Sequence, residues 1–368
     1  MKLNSLPVFM LSSFGHAGID WTHSLLDSHK DIIIMPAFSF FRTLYKIEKI
    51  NKIKLNKLKD AKYAAKILTE IFFNDVSYKV KRRKILFNDE QKKIFEKSII
   101  EFYTTNDMQI IQKLFFSIHY AFCNTHKIDI SQKKCIVIHE HVSWHYEKYK
   151  KNFDAKAILI FRDPKAVLGG GILKMQNVNP SKKVSSFQMD TMLLHMVSAF
   201  NITNDKYNTG KFFILENEKM HNNLNTEMLK LSKWMNIDFN ESMLRQSFMG
   251  NDWLGESSYL AKDELHKPPP ENYYEPDEVK KRWKSIISKE ETKIIEIIFR
   301  KFIKKFKYEF EYKLGTLDII FGYFFFLTRY QFQEKYFVNK YLIILRNILR
   351  RICILSIKEK TLLLFNFK

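Results

Sequence analysis

A chain of 368 residues, 46% hydrophobic and 15% aromatic, has material for one large core or two of ordinary size, which excludes a disordered polypeptide. The formal charge of +21 raises nucleic acid and anionic membranes as partners; yet the lysines are dispersed among Ile, Asn and Phe, and no zinc-finger spacing, RNP-like strand or helix-turn-helix signature accompanies them, so no nucleic-acid partner is expected. Cys123, Cys135 and Cys353 are odd in number and far apart, which fits a reducing cytoplasm and argues against a disulfide framework or a zinc site. No apolar segment reaches the roughly 18 residues of a spanning helix. Lys2 ahead of an apolar run imitates a signal peptide weakly, but the run is short, contains Pro7 and reads as the first strand.

The organising stretch is VFMLSSFGHAGIDWTHSLLDSHKD, Val8 to Asp31. An apolar run from Pro7 to Leu11 precedes small and polar residues with Gly15 and Gly18, then Trp21, Leu25 and Leu26 at helical spacing: strand, tight loop, helix. In such a unit, backbone N–H groups and the positive end of the helix macrodipole converge on one spot that suits an anionic phosphate.

Between Phe38 and Asp129 there is neither Gly nor Pro, and Tyr45, Ile47, Ile50, Ile53, Leu55 and Leu58, then Ile94, Phe95, Ile99 and Phe102, recur at helical intervals, predicting several helices over about 38–130. The run Lys79, Lys81, Arg82, Arg83, Lys84 reads as a solvated face, or as a contact for an acidic ligand. Cys135 to Ile138 fits a buried parallel strand, and His139, Glu140 and His141 fall just past its end, where doubly wound sheets bind ligands. Acid–base chemistry, a metal pair and a purely structural cluster are all open to these three residues.

Between Phe153 and Met175, the run Gly169-Gly170-Gly171 costs a helix dearly, so a helix there is expected to be loosened or shortened. A helix near Phe187 to Phe200, a strand from Lys211 to Glu216 and a helix from Asn225 to Trp234, burying Leu229, Leu231 and Trp234, complete the core pattern. Beyond Gly315, nine Lys and Arg stand against three acids, a net of +6 that leaves +15 for the rest. In Tyr341 to Leu355, Arg346, Asn347, Arg350 and Arg351 share one helical stripe, which suits an anionic membrane surface or a cover over the domain or a second subunit.

SSFGHAGIDWTHSLLDSHKDI resembles the 5′-phosphosulfate-binding loop of the sulfotransferase superfamily, roughly S-F-P-[RK]-S-G-T-T-W-L, a helix and L-L-D-S-H-P-D-I. Ser13, Phe14, Gly18, Trp21 and Leu25 to His29 match in place; the family's Pro-Arg/Lys-Ser becomes Gly15, His16, Ala17, and its two hydroxyl residues become Ile19 and Asp20. An ionised carboxylate accepts hydrogen bonds where a hydroxyl would donate. FDAKAILIFRDPKAV resembles the family's F-P-x-A-K-x-I-x-L-x-R-D-P-R-x-V, which implies a strand with Arg162 at its end, a helix opening on Pro164, and an Arg162 that forks onto the 3′-phosphate of the donor nucleotide. Gly170 stands where the family carries an assisting serine, and backbone N–H groups of a loosened helix would take over that contact. FFILEN, SFMGNDWLGES and the segment from Lys281 to Phe310, with Trp283 and Lys284, are similar to the family's V-R-Y-E-D-L strand, W-x-G-x-S loop and closing helix, while the R-K-G loop of eukaryotic members is absent.

The resemblance implies a three-layer α/β fold with a mainly parallel sheet of P-loop type, a sulfotransferase-like domain over 1–314 with its helical insertion walling the acceptor pocket, and a basic, apolar C-terminal helical extension over 315–368. It further implies sulfuryl transfer from 3′-phosphoadenosine 5′-phosphosulfate to a hydroxyl of a glycan or lipid-linked glycan, without metal. Ser13, Gly15, His16, Ala17, Gly18, Ile19, Asp20, Trp21, Arg162 and Gly170 would hold the donor, His16 would meet the leaving group, and His139, Glu140 or His141 would take the proton. A cytoplasmic location, peripheral on the inner face of the membrane, is the matching expectation, with oligomeric state left open. Two other readings stand: a different nucleotide-dependent transferase, disfavoured by the missing G-K-[ST], and a catalytically decayed binding or scaffolding protein, favoured by His16, Asp20 and Gly170.

Overall fold

In a computed structural model, which describes residues 3–36, 38–82, 88–178, 186–204, 210–253, 274–328 and 348–355, the strands β1 (Val8–Ser13), β2 (Ile32–Ile34), β3 (Cys135–His139), β4 (Ala155–Phe161) and β5 (Phe212–Glu216) form one sheet in the order 2-3-1-4-5. Val8 to Leu11 pair in parallel with Ile136 to His139, and Ile32 to Ile34 pair in parallel with Cys135 to Val137. The Asp154 carbonyl accepts the Val8 N–H and the Ile160 carbonyl accepts the Phe14 N–H, the same advance along both strands, so β1 and β4 also run parallel. Every residue of β1 and β3 is buried, which is why their sequences read as continuous apolar runs rather than alternations. The fold is α/β, with β1 central and the order reversing beside it, where open parallel sheets place ligands beyond the strands' carboxyl ends.

The first helices are α1 (Ile19–Leu26), α2 (Phe40–Tyr45), α3 (Ala61–Arg82), α4 (Asp89–Thr105), α5 (Ile110–Thr125) and α6 (Tyr146–Asn152). The expected helical insertion is present. Asn88 and Gln91 cap α4 reciprocally, and Phe72 of α3 stacks on Phe95 of α4 at 4.6 Å between ring centroids. Lys79, Lys81 and Arg82 fall at the end of α3, while Arg83 and Lys84 lie outside the described residues.

After β4 come α7 (Pro164–Val178), α8 (Ser186–Asn204), α9 (Asn217–Asn222), α10 (Leu224–Met235), the hairpin strands β6 (Ser247–Phe248) and β7 (Asn251–Asp252), then α11 (Pro276–Lys281), α12 (Lys289–Ile298), α13 (Arg300–Lys305) and α14 (Thr316–Thr328). By contact density the chain forms two compact units. One comprises Met1–Ser12, Ile19–Ile158 and Asn225–Trp253; the other comprises Ser13–Gly18, Leu159–Leu224 and Leu254–Lys368.

Several expectations are corrected. The triple glycine does not loosen the helix: α7 runs unbroken through Gly169, Gly170 and Gly171, because a Cβ at Gly171 would collide with Met192 Sδ of α8, and this close packing outweighs the helix cost of glycine. Within α10, Leu231 is buried and Trp234 half-buried, but Leu229 is 52% exposed, since the inner face runs through Met228, Leu231 and Met235. The closing segment is three helices rather than one: a 3-10 turn over Arg282–Ser285, a Ser288–Glu291 capping box that restarts the chain as α12, and a non-helical Phe299 (φ −99°, ψ 19°) before α13. Ser247 to Asp252, the first part of the stretch similar to a W-x-G-x-S loop, is a hairpin turning through Met249 and Gly250, both at positive φ; residues 254–257 of that similarity lie outside the described residues. Among the described residues no helix is long and apolar enough to cross a membrane.

Candidate functional site

The anion loop belongs to the second unit and is braced from within. Gly15 at φ +68° and Gly18 at φ +99° adopt the backbone that glycine tolerates, and the Ser13 hydroxyl donates to the Gly15 carbonyl at 2.5 Å. The Ala17 N–H also donates to Gly15 O, and Asn217 Nδ2 donates to Ala17 O at 3.0 Å. Phe14 anchors the loop by stacking on Phe302, 4.4 Å between centroids and 7° between planes. Ser13 is thus a brace: its proton goes to the loop's own carbonyl. A Cβ on Gly15 would stand 2.7 Å from Val167 Cγ1, so packing against α7 as well as φ demands glycine. His16 is half-buried, with Cδ2 within 3.0 Å of where a Gly171 Cβ would stand; Ala17 is fully buried.

Arg162 follows β4 and is 9% exposed. One terminal nitrogen donates to the Val279 carbonyl at 3.3 Å, and Nε is buried without a hydrogen-bond partner among the described residues. A carboxylate network lies under it. Glu218 accepts from the Asp163 N–H and from the Tyr308 hydroxyl, both at 3.0 Å; burial raises its pKa, opposed by the Arg162 charge. Burial likewise raises Asp163, while the buried Lys165 bonds to Glu296 at 3.2 Å and to the Glu309 carbonyl at 2.6 Å. His221 is pushed down to about 4, first by burial and then by the positive charges of Arg162 and Arg282, and it stacks on Tyr274. Asn217, Glu218, His221 and Arg282 were not singled out by sequence, since only folding brings them to Ala17 and Arg162. Gly170 lies deep in α7, past the first turn where helical N–H groups lack an i−4 acceptor, so its expected role in replacing a hydroxyl is not supported by the helix it sits in.

The first unit holds Ile19, Asp20 and Trp21 at the start of α1, and the polar cluster after β3. His139 is the last residue of β3, not the first beyond it, and pairs with Leu11. Its Nδ1 lies 3.2 Å from Nδ1 of His23 on α1, a contact in which one imidazole donates and the other accepts. The half-buried His141 meets the His139 ring edge to face at 4.6 Å. Glu140 is fully buried, accepts the Ser39 hydroxyl at 2.6 Å and sits 3.2 Å from His145 Nδ1; its charge and hydrogen bond also help to hold the Tyr149 hydroxyl well above its usual pKa, after burial. One Glu140 oxygen is thus engaged by Ser39 and the other faces His145. His23 was the member least visible in sequence, because a lone histidine on a helix carries no pattern.

No group of three or more His, Cys, Asp and Glu among the described residues is arranged to hold a metal ion. All three cysteines are free, and burial pushes Cys123 and Cys135 up to about 12, a state that suppresses thiolate chemistry.

No protein-family model matches the chain, and no curated protein matches it in sequence. Solved structures do. The chain resembles sulfotransferase domains in fold. The sulfotransferase domain of an olefin synthase from Synechococcus is 12% identical, with 83% of this chain and 96% of that one covered at a TM-score of 0.46. The sulfotransferase domain of the curacin biosynthetic pathway is 14% identical, with 83% and 99% covered at 0.49. A sulfotransferase from Mycobacterium avium is 14% identical, with 84% and 78% covered at 0.40.

Proposed function

We propose that this chain is a sulfotransferase that moves a sulfuryl group from 3′-phosphoadenosine 5′-phosphosulfate to a hydroxyl of a glycan or lipid-linked glycan. The observation that carries the reading is the glycine-turned loop at the end of the central strand, next to a strand that leads into a buried arginine whose Nε has no partner among the described residues. A buried donor without an acceptor is costly, roughly 1–3 kcal/mol, and a phosphate oxygen would satisfy it. These features fit the donor nucleotide: loop amides from Gly15 to Gly18 and the N–H groups opening α1 would hold the 5′ side, and Arg162 the 3′-phosphate. When bound, the donor supplies an activated sulfuryl group. The protein's part is to orient the acceptor hydroxyl, to take its proton and to present fixed N–H dipoles to the charge that grows on the leaving phosphate. Of the three candidate bases, Glu140 is buried between Ser39 and His145, and His139 is buried against His23, so the more accessible His141 is the proton acceptor in this reading. His16, beside α7, would stand near the leaving group.

A second reading, a catalytically decayed binding protein on the same frame, is favoured by Asp20, a carboxylate in the first turn of α1 where the family presents a hydroxyl. Titration of the full chain with adenosine 3′,5′-bisphosphate separates them. Saturable binding together with turnover of the sulfated donor on glycan acceptors supports the enzyme; binding without turnover on any acceptor supports the second reading; no binding overturns both. An anionic membrane surface belongs to the same proposal, with Leu317 and Ile320 of α14, 69% and 58% exposed, as its contacts in place of the arginine stripe.

A further inference from the structure

The helix at 348–355 turns two arginines of its predicted polar stripe toward protein. Arg351 is 1% exposed, donates from Nε to Asp190 Oδ1 at 3.0 Å and from a terminal nitrogen to the Phe326 carbonyl of α14 at 2.8 Å. Arg350 pairs with the other Asp190 oxygen at 3.0 Å, and Asp190 is 2% exposed. One buried carboxylate on α8 therefore holds two guanidinium groups from the C-terminal helix and, through Arg351, the last turns of α14. Two residues after Asp190, Met192 lies over Gly171 of α7, and Met192 and Met196 both line the space beside Gly15, with His16 on the same side of Gly171. The same stretch of α8 that is held by the buried ion pair at Asp190 therefore carries Met192 and Met196, which pack beside Gly15 of the anion loop.

We propose that Asp190 and Arg351 are positioning residues for the loop Ser13–Gly18, so that the C-terminal helix sets the loop's geometry through α8 and the Met192 contact. The proposal rests on the nucleotide reading only where affinity is measured. Interiors this closely packed transmit small shifts rather than absorb them, and removing one partner of a buried pair leaves an uncompensated charge that displaces its own helix. Arg351 acts through α8 and touches no ligand.

The test uses the full chain. Asp190→Asn and Arg351→Lys each remove part of the fork; hydrogen–deuterium exchange is read at Gly15 to Gly18, and affinity for adenosine 3′,5′-bisphosphate is measured alongside. Loop exchange is expected to quicken roughly tenfold, with a similar rise in Kd, and the exchanged pair Asp190→Arg with Arg351→Asp is expected to recover part of both. Faster exchange confined to 316–328 and 348–355, with loop rates and Kd at wild-type values, would overturn the proposal. Should either variant fail to fold, Arg350→Ala removes the more exposed guanidinium instead, and faster or unchanged loop exchange in that chain supports or overturns the proposal in the same way. Loop rates that respond in a chain that binds no nucleotide would retain the positioning role and refute the nucleotide reading instead.

Discussion

Replacing Arg162 by alanine removes the buried guanidinium assigned to the proposed 3′-phosphate site at the end of β4. The guanidinium is 9% exposed, so solvent screens a phosphate contact little, and a bidentate charge-assisted pair there is worth on the order of 2–4 kcal/mol, about 30- to 1,000-fold in Kd. Arg162→Lys should recover little of this, because an ammonium cannot reproduce the fork while one nitrogen stays on the Val279 carbonyl. Arg162→Ala, unlike Arg162→Lys, also strips Glu218 of the charge that opposes its burial. Its folded pKa, already raised, rises further, so the variant's loss of stability should be largest above that pKa and fade as pH falls toward the unfolded carboxyl value; Glu218→Gln should relieve it. Calorimetric titration with adenosine 3′,5′-bisphosphate, paired with denaturation at two pH values, reads both effects. Affinity within twofold of wild type in a folded Arg162→Ala chain would refute the assignment.

Gly171→Ala should cost about 1–3 kcal/mol in thermal unfolding, because its methyl meets Met192 Sδ and His16, and Met192→Ala should offset most of the loss; an unchanged melting temperature would show that α7 and α8 are not packed as described. His119, fully buried, is pushed down to about 4 by burial, so the unfolded chain takes up its proton first and stability should fall as pH drops from 6.5 toward 4; His119→Gln should flatten that limb in denaturant titrations, and an identical slope would count against it. His141→Ala should abolish turnover while leaving bisphosphate affinity intact, whereas Glu140→Gln should chiefly lower stability through the Ser39 and His145 contacts; turnover surviving His141→Ala would move the base elsewhere.

Local pattern sufficed wherever neighbours along the chain decide the structure. Apolar runs without alternation marked β1 and β3 because buried parallel strands have no solvated face, and the family resemblance marked β4. Periodicity without Gly or Pro marked the insertion, and Gly15 and Gly18 marked the turn after β1, where both take positive φ. Arg162 was singled out by the resemblance of its stretch to a family pattern, and it does follow β4. The break before α12 could be read from Ser288 and Glu291, a capping box that the continuous helical pattern concealed.

What tertiary structure alone decided are the places where distant residues compete with a local preference. The helix runs on through Gly169 to Gly171, and at Gly171 Met192, from another helix, fills the space a side chain would take. The Glu140 carboxylate meets the hydroxyl of Ser39, about a hundred residues upstream, and the ring of His145, partners that no local pattern names. Arg350 and Arg351, written as one polar stripe, face a buried Asp190, whose pKa burial raises and whose charge the two guanidinium groups favour. Period and composition state which residues can be buried together; only the packed chain settles which carboxylate each cation meets, since that pairing depends on contacts far apart in sequence.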